Sequence, residues 1–462
     1  IDTPADGPVV TPYRSMQLLT SVAEPIWDPL LALDESAVVT IPSLKSGEVW
    51  LDIDGANAVP GEYKVTVKIL ALNGAGVVDG PKNPRTILPP VATVEISLNV
   101  LPFEMAPSGV FRLCTWPALD ATNVSDLLAH GNNVFIGPNA ESQYDAAGTL
   151  TGFDYTKLDA FANQFSGHDV VLMLNGIPSF RGQPGSTEFT RDMKAYLDDL
   201  VPHMAALGFD TDHFALYPID EPGGQGWDAV NRVVEFGKAV RAANPKVMVY
   251  VDGGGELPMF QAMADYIDIW CPGIGMLADE SPEMEIMRTH GKLLWSYDCG
   301  YSYARPVGSC LKGVNIVAQY RTSALFAFRH GGTGIGYWCY NSGDDPWGRV
   351  QLNYPLVYPG LTRPVVSRRW EAVREGIEDY RILAVLRKRL TETDGTSITP
   401  TARSQITHLI EVSLPEMLDQ SFGEVKMGLA RTSIDATNND AAMRALRSEM
   451  LGCVEALTAC AS

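Results

Sequence analysis

Two adjacent acidic residues, Asp220 and Glu221, are the sharpest candidates for acid–base chemistry in the sequence. They follow a short apolar run directly and precede Pro222. Neighbouring side chains on a regular strand point to opposite faces, so both acids reach one pocket only if the strand ends and the backbone turns. Pro222 favours an extended conformation for Glu221, and the glycines that follow allow a bend. A capping or salt-bridged pair at a turn is the structural alternative, and position alone does not decide between the two.

Polar and aromatic residues also follow the other apolar runs of the same region. Carboxylates and amides bind the hydroxyl rims of sugars, and aromatic rings stack on their C–H faces. The candidate substrate-binding residues are Asn139, Asn175, Asp252, Trp270, Tyr297, Asp298, Tyr301, Trp338, Tyr340 and Asn341. Cleavage of a glycosidic bond needs an acid and a second group that meets the charge at the anomeric carbon. The set therefore favours carbohydrate chemistry, although barrel and rim packing is an alternative for the aromatic residues.

The elements that position these residues are short apolar runs separated by helical patterns. The eight runs are Val110–Thr115, Asn133–Gly137, Asp169–Leu174, His213–Ile219, Val247–Val251, Tyr266–Cys271, Lys292–Tyr297 and Gly334–Tyr340. Eight strands that alternate with helices specify a (β/α)8 TIM barrel, in which the active site lies at the C-terminal ends of the strands. A doubly wound sheet is the less favoured alternative.

The patterns on either side of this region predict two further parts. Before it, Tyr63, Val65, Val67 and Ile69 alternate with polar residues, which is typical of antiparallel strands that pack on one side. We therefore expect a β-sandwich over residues 1–105, the α/β barrel over 106–362 and a helical region over 363–462.

Composition limits the possible partners. The chain has 462 residues, 46% of them apolar, and 55 acidic against 35 basic residues give a net charge of −20. Such a chain has ample material for packed cores, and its acidity argues against nucleic acid as a partner. No apolar run is long enough to span a membrane.

The spacing of the histidines does not match a metal site, so we expect neither a metal nor an organic cofactor. The chain opens without Met, so a signal peptide could have been removed, and we expect a secreted or periplasmic enzyme. Its oligomeric state stays open.

Three segments together resemble glycoside hydrolase family 123 and its uncharacterised relatives. They are Asp220–Pro222, Tyr337–Asn341 and the string Arg374–Tyr380. The resemblance implies a barrel with a β-sandwich in front of it and helices behind. It also implies a retaining exo-hydrolase that releases terminal β-linked N-acetylgalactosamine, with the acetamido oxygen of the substrate as nucleophile. By position, Asp220 would orient the acetamido group, and Glu221 would act as general acid and then as base.

Two other functions remain open. On a different, neutral or acidic sugar, Glu221 could stay the acid while Asp252, Glu256 or Asp298 serves as nucleophile or base. A non-catalytic carbohydrate-binding protein would keep the aromatic residues without depending on an acid. In all three cases the partner is an oligosaccharide or glycoconjugate.

Overall fold

A computed structural model describes residues 1–19, 25–33, 38–41, 43–72, 87–298, 316–343, 345–348, 354–392, 398–422 and 436–458. Tyr301, one of the expected sugar contacts, lies outside these residues. The chain divides into two compact units. The first unit comprises Ile1–Met16, Leu30–Glu104 and Val454–Ser462, and the second comprises Gln17–Pro29 and Met105–Cys453.

The strands and helices account for most of the described chain. The strands are β1 (Val9–Leu19), β2 (Pro25–Ala32), β3 (Glu48–Asp54), β4 (Gly61–Leu72), β5 (Ile87–Val100), β6 (Arg112–Cys114), β7 (Val134–Pro138), β8 (Glu141–Tyr144), β9 (Leu150–Asp154), β10 (Val171–Asn175), β11 (Phe214–Tyr217), β12 (Met248–Asp252), β13 (Ile269–Cys271), β14 (Leu293–Leu294), β15 (Tyr297–Asp298), β16 (Gly334–Tyr337) and β17 (Val366–Ser367). The α-helices are α1 (Val124–Ala129), α2 (Thr156–Ala162), α3 (Thr187–Ala206), α4 (Pro222–Gln225), α5 (Trp227–Ala243), α6 (Leu257–Met263), α7 (Pro282–His290), α8 (Thr322–Arg329), α9 (Arg368–Thr391), α10 (Pro400–His408), α11 (Leu414–Phe422) and α12 (Ala436–Thr458).

The first unit is built from antiparallel strands. Strand β1 pairs with β3, and β4 pairs with β5 along almost their whole length. The predicted alternation is visible in β4, where Val65 is fully buried and its neighbour Lys64 is exposed. A β-sandwich over residues 1–105, like the three-part division of the chain, stays a prediction.

The second unit is a mixed α/β structure around a curled parallel sheet. Among the described residues this sheet has nine strands, in the order β14-β13-β12-β11-β10-β7-β6-β16-β15. Each of the eight apolar runs overlaps at least one of them. The end strands β14 and β15 are separated by two residues only, Trp295 and Ser296, whose N–H groups bond to Trp270 O and Gly334 O. The two ends of the order are thus consecutive in the chain, which curls the sheet around its interior.

The interior of this sheet is apolar and aromatic. Its buried residues include Val134, Met173, Tyr217, Tyr250 and Trp295. Because side chains alternate along each strand, the residues between them face the surrounding helices. Among those helices, α3 is capped at its N-terminus by Ser186, whose hydroxyl accepts from Phe189 N at 3.1 Å. The helix buries a stripe that includes Phe189 and Leu200.

The string Arg374–Tyr380 lies on α9, within the second unit. Arg374 binds Glu371 and Glu378 of the same helix, while Ile377 and Tyr380 are buried. Gly376 faces the backbone of Arg321, and a Cβ there would lie 2.2 Å from the Arg321 carbonyl oxygen. Glycine therefore allows the close approach of these two segments. Within the described residues, no helix is both long and apolar enough to cross a membrane.

Candidate active site

Asp220 and Glu221 lie just past the C-terminal end of β11, and both are exposed. Glu221 has φ 41° and ψ 56°, the left-handed conformation that non-glycine residues adopt only under local constraint. The expectation of an extended Glu221 before Pro222 is wrong. Pro222 instead begins α4, and the N–H of Glu221 donates to Asp252 Oδ1 at 2.9 Å, which holds the turn.

One phenol links the acid pair to a third carboxyl group. The Tyr217 oxygen lies 2.5 Å from Asp220 Oδ1 and 2.6 Å from Asp252 Oδ2. Tyr217 is an inward-facing residue at the end of β11, and Asp252 ends the neighbouring strand β12. The three groups thus form a chain that runs from the sheet interior to the exposed Asp220.

Asp252 lies beneath the acid pair and is only 3% exposed. Burial raises the pKa of its carboxyl group to about 7, against the opposing effect of hydrogen bonds from Tyr217 and Glu221 N. The negative charges of Asp220 and Glu221 raise it further. A direct contact between Asp252 and a sugar, which the sequence predicted, is not supported by this buried position.

A second phenol holds Glu221. The hydroxyl of Tyr297, on β15, donates to Glu221 Oε1. The indole of Trp116, which follows β6, meets the Tyr297 ring edge-on with centroids 6.2 Å apart. Trp116 and Tyr297 are both partly buried inside the rim, so they form an aromatic wall beside Glu221.

The three candidate amides lie at the same edge of the sheet. Asn139 donates to the carbonyl groups of Asn175 and Gly176 and accepts from Tyr196, so its polar atoms are occupied. Asn341 makes two bonds of 2.9 Å to the backbone of Ala118. Both side chains connect loops at the rim, whereas the Asn175 side chain is exposed.

Three predicted sugar contacts point away from the acid pair. Trp270 is 1% exposed and packs on Phe260 of α6, because its neighbours Ile269 and Cys271 take the interior face of β13. Asp298 is 1% exposed and follows the inward-facing Tyr297, which turns it toward the helices. Tyr340 is buried and donates to Asp126 at 2.6 Å. The geometry does not support sugar contacts for these three residues.

Among the candidate aromatic residues that the structure describes, Trp338 is exposed and remains available to a ligand. It is 43% exposed and follows β16, the strand beside β6 and β15.

Two residues that the sequence did not indicate as candidates, Trp116 and Tyr217, lie at the site. In the sequence, only their position at strand ends pointed to them. Many residues that merely pack the core also lie at strand ends. In the part of the chain that the structure describes, no three His, Cys, Asp or Glu side chains are grouped to hold a metal ion.

Several solved structures are distantly similar to the chain. Native xylanase 10C from Cellvibrio japonicus is 12% identical, with 81% of this chain and 90% of that chain covered and a TM-score of 0.39. A family 2 β-galacturonidase from Eisenbergiella tayi is 10% identical, with 81% and 67% covered and a TM-score of 0.36. A chitinase from Rhizomucor miehei is 12% identical, with 58% and 98% covered and a TM-score of 0.30. At these scores no residue role is transferred from them to this chain.

The similarity to a sequence family is more specific. No curated protein matches the chain. Residues 174–386, however, match the family model described as glycoside hydrolase 123, catalytic domain. The matched segment begins within β10 and ends within α9, and so it includes the acid pair, Asp252 and Tyr297. The protein is therefore a glycoside hydrolase, and its residues 174–386 are similar to the catalytic domain of glycoside hydrolase family 123.

Proposed function

We propose that the protein is a retaining exo-hydrolase that releases terminal β-linked N-acetylgalactosamine by substrate-assisted catalysis within a (β/α)8 barrel. Asp220 binds and orients the acetamido N–H, so that the acetamido oxygen attacks the anomeric carbon and forms an oxazoline. Glu221 protonates the leaving oxygen and then, as a base, activates the water that opens the oxazoline. A nucleophile carried by the substrate itself needs only to be held close and bent.

The observation that carries this proposal is the separate support of the two acids. Tyr217 binds Asp220 from the interior of the sheet, whereas Tyr297 binds Glu221 from the side of β15. Both carboxyl groups thus have a hydrogen-bond partner at one edge of the sheet, while the two residues stay exposed. Two carboxyl groups in different surroundings suit the two different tasks of the mechanism.

The burial of Asp252 and Asp298 argues against either of them as an enzymatic nucleophile. A carboxylate that attacks the anomeric carbon must present an oxygen to the sugar. Asp252 and Asp298 are 3% and 1% exposed, and Asp252 binds Tyr217 and Glu221 N with its two oxygens. Glu256 is exposed at the start of α6 and keeps the alternative of a different sugar available for testing.

The proposed roles are tested with two variants and two substrates. Glu221→Gln is expected to lower kcat/KM about 100-fold or more on an N-acetylgalactosaminide with a poor leaving group, because the acid contributes roughly 10²–10⁴ to such reactions. On a nitrophenyl glycoside, which needs little acid help, the loss is expected to be much smaller. Asp220→Asn is expected to impair both substrates. Equal losses in the Glu221 variant would contradict its role as acid.

An inhibitor tests whether the nucleophile is the acetamido oxygen of the substrate or a carboxylate of the enzyme. An N-acetylgalactosamine-derived thiazoline copies the oxazoline, and we expect it to compete with substrate far more tightly than N-acetylgalactosamine does. The matched control is a galactose-derived inhibitor without the acetamido group, for which weak binding is expected. Equal affinity for the two would favour a different sugar, and Glu256→Gln would then be the variant to assay.

A further inference from the structure

We propose that Asp252 is a positioning residue that carries a proton in the active enzyme and, through Tyr217, holds Asp220 ionised and oriented. The inference rests on the proposed function of Asp220 and Glu221. It assigns Asp252 neither to the substrate nor to the attack on the anomeric carbon.

The first step is a count of protons. The Tyr217 oxygen lies within hydrogen-bond distance of two carboxyl oxygens, at 2.5 Å from Asp220 and 2.6 Å from Asp252. A phenol has one proton and donates one hydrogen bond. The second short contact is therefore satisfied only if one of the two carboxyl groups is protonated and donates to the phenolic oxygen.

Burial decides which carboxyl group holds that proton. Asp252 is 3% exposed and Asp220 is exposed, so the charged form is much less favourable on Asp252. The titratable groups that face Asp252 from neighbouring elements are Asp220, Glu221, Tyr217, Tyr250, Cys114 and Cys271. Each of these is neutral or negative, and none is a cation that would favour a buried carboxylate.

The resulting chain has a direction. Asp252 donates to Tyr217, and Tyr217 donates to Asp220, so each bond polarises the next and strengthens the donor that reaches the carboxylate. The other oxygen of Asp252 accepts from Glu221 N at 2.9 Å. One buried carboxyl group therefore sets the side chain of Asp220 and the backbone of Glu221 together.

Loss of the proton undoes this arrangement. An ionised Asp252 would compete with Asp220 for the single Tyr217 proton and would add a third negative charge beside the acid pair. The pKa of Asp252, raised by burial to about 7, sets the pH at which this happens. Activity is therefore expected to fall as the pH rises through this value, even with a substrate that needs no acid help.

The experiment compares Asp252→Asn with Asp252→Ala on the full chain, with nitrophenyl N-acetyl-β-galactosaminide between pH 5 and 9. Asparagine can donate to Tyr217 and accept from Glu221 N, so it copies the protonated carboxyl group. We expect Asp252→Asn to stay within about fivefold of the wild type at pH 6 and to lose the fall near pH 7. Asp252→Ala is expected to lose about 30-fold or more at pH 6. Asp228→Asn removes one exposed charge on α5 and is the control, with an unchanged profile.

Infrared difference spectroscopy tests the proton directly, independently of any substrate. The spectrum of the wild type minus Asp252→Asn at pH 6 is expected to contain the C=O stretch of a protonated carboxyl group, which vanishes by pH 9. Absence of this band, or an unchanged pH profile in Asp252→Asn, would overturn the inference. Full activity in Glu221→Gln and Asp220→Asn would instead overturn the proposed function, so the two failures are distinguishable.

Discussion

The Tyr297 hydroxyl makes a testable contribution at the level of a single residue. It donates to Glu221 Oε1, and loss of one hydrogen bond to a charged or reacting group costs roughly 1.5–3 kcal/mol. Tyr297→Phe is therefore expected to lower kcat/KM about tenfold or more on a substrate with a poor leaving group, and less on a nitrophenyl glycoside. Tyr155→Phe is a suitable control because Tyr155 donates to Asp199 instead. Equal activity of Tyr297→Phe and the wild type would show that Glu221 needs no such support.

The sequence predicts the acid pair but not its partners, for a physical reason. Asp220 and Glu221 follow an apolar run, which is enough to place them at a strand end. The partnership of Tyr217 with Asp252 depends on the register of two strands, in which Ala215 pairs with Met248. The sequence also does not show which residues of a strand face the interior of the sheet and which face the helices. An error of one residue moves Trp270 from the interior to the helix side.

The turn after β12 is an element whose backbone is fitted to the acid pair. Gly253 has φ 83°, and a Cβ there would lie 3.1 Å from Glu221 Cα, Cβ and Cγ. Gly208, after α3, has φ 95° with nothing within 4 Å of its Cβ position. Alanine in a left-handed conformation costs roughly 1–2 kcal/mol at either position.

Gly253→Ala and Gly208→Ala are therefore expected to lower the melting temperature to a similar extent, while only Gly253→Ala displaces Glu221. We expect kcat/KM on a substrate with a poor leaving group to fall at least tenfold in Gly253→Ala and to stay near the wild-type value in Gly208→Ala. Thermal unfolding and steady-state kinetics on the same samples separate the two effects. A parallel loss of activity in both variants would mean that stability alone explains it.

At the level of elements, the apolar runs predicted the strands of the sheet because each is short and is followed by a helical pattern. The strand ends were less predictable. The run that begins at Gly334 was expected to continue to Tyr340, but β16 ends at Tyr337, and the alternation that would have brought Tyr340 to the rim stops there. Glu221 is a similar case, because the left-handed turn depends on Asp252, which lies 31 residues away in the chain.

For the whole molecule, the site lowers the stability of the fold. An acid whose folded-state pKa is above its unfolded value binds more protons when folded, so the free energy of unfolding decreases as the pH rises between the two values. For Asp252 this interval extends from about 4, the usual value for Asp, to about 7. The cost is absent at the acidic end of the interval and complete above it.

Asp252→Asn is consequently expected to be more stable than the wild type at pH 8, by on the order of 2–4 kcal/mol, and to differ little near pH 4. Urea unfolding at several pH values measures this difference, and the contributions of other titrating groups cancel because both proteins share them.

A buried carboxylate with cationic partners should behave in the opposite way. Asp268 binds Arg241 at 2.6 Å and Lys292 at 2.9 Å, so Asp268→Asn is expected to destabilise the protein by roughly 3 kcal/mol at pH 8. If Asp252→Asn were destabilised in the same way as Asp268→Asn, Asp252 would act as a carboxylate that stabilises the fold. A role in catalysis would then not be needed to explain the residue.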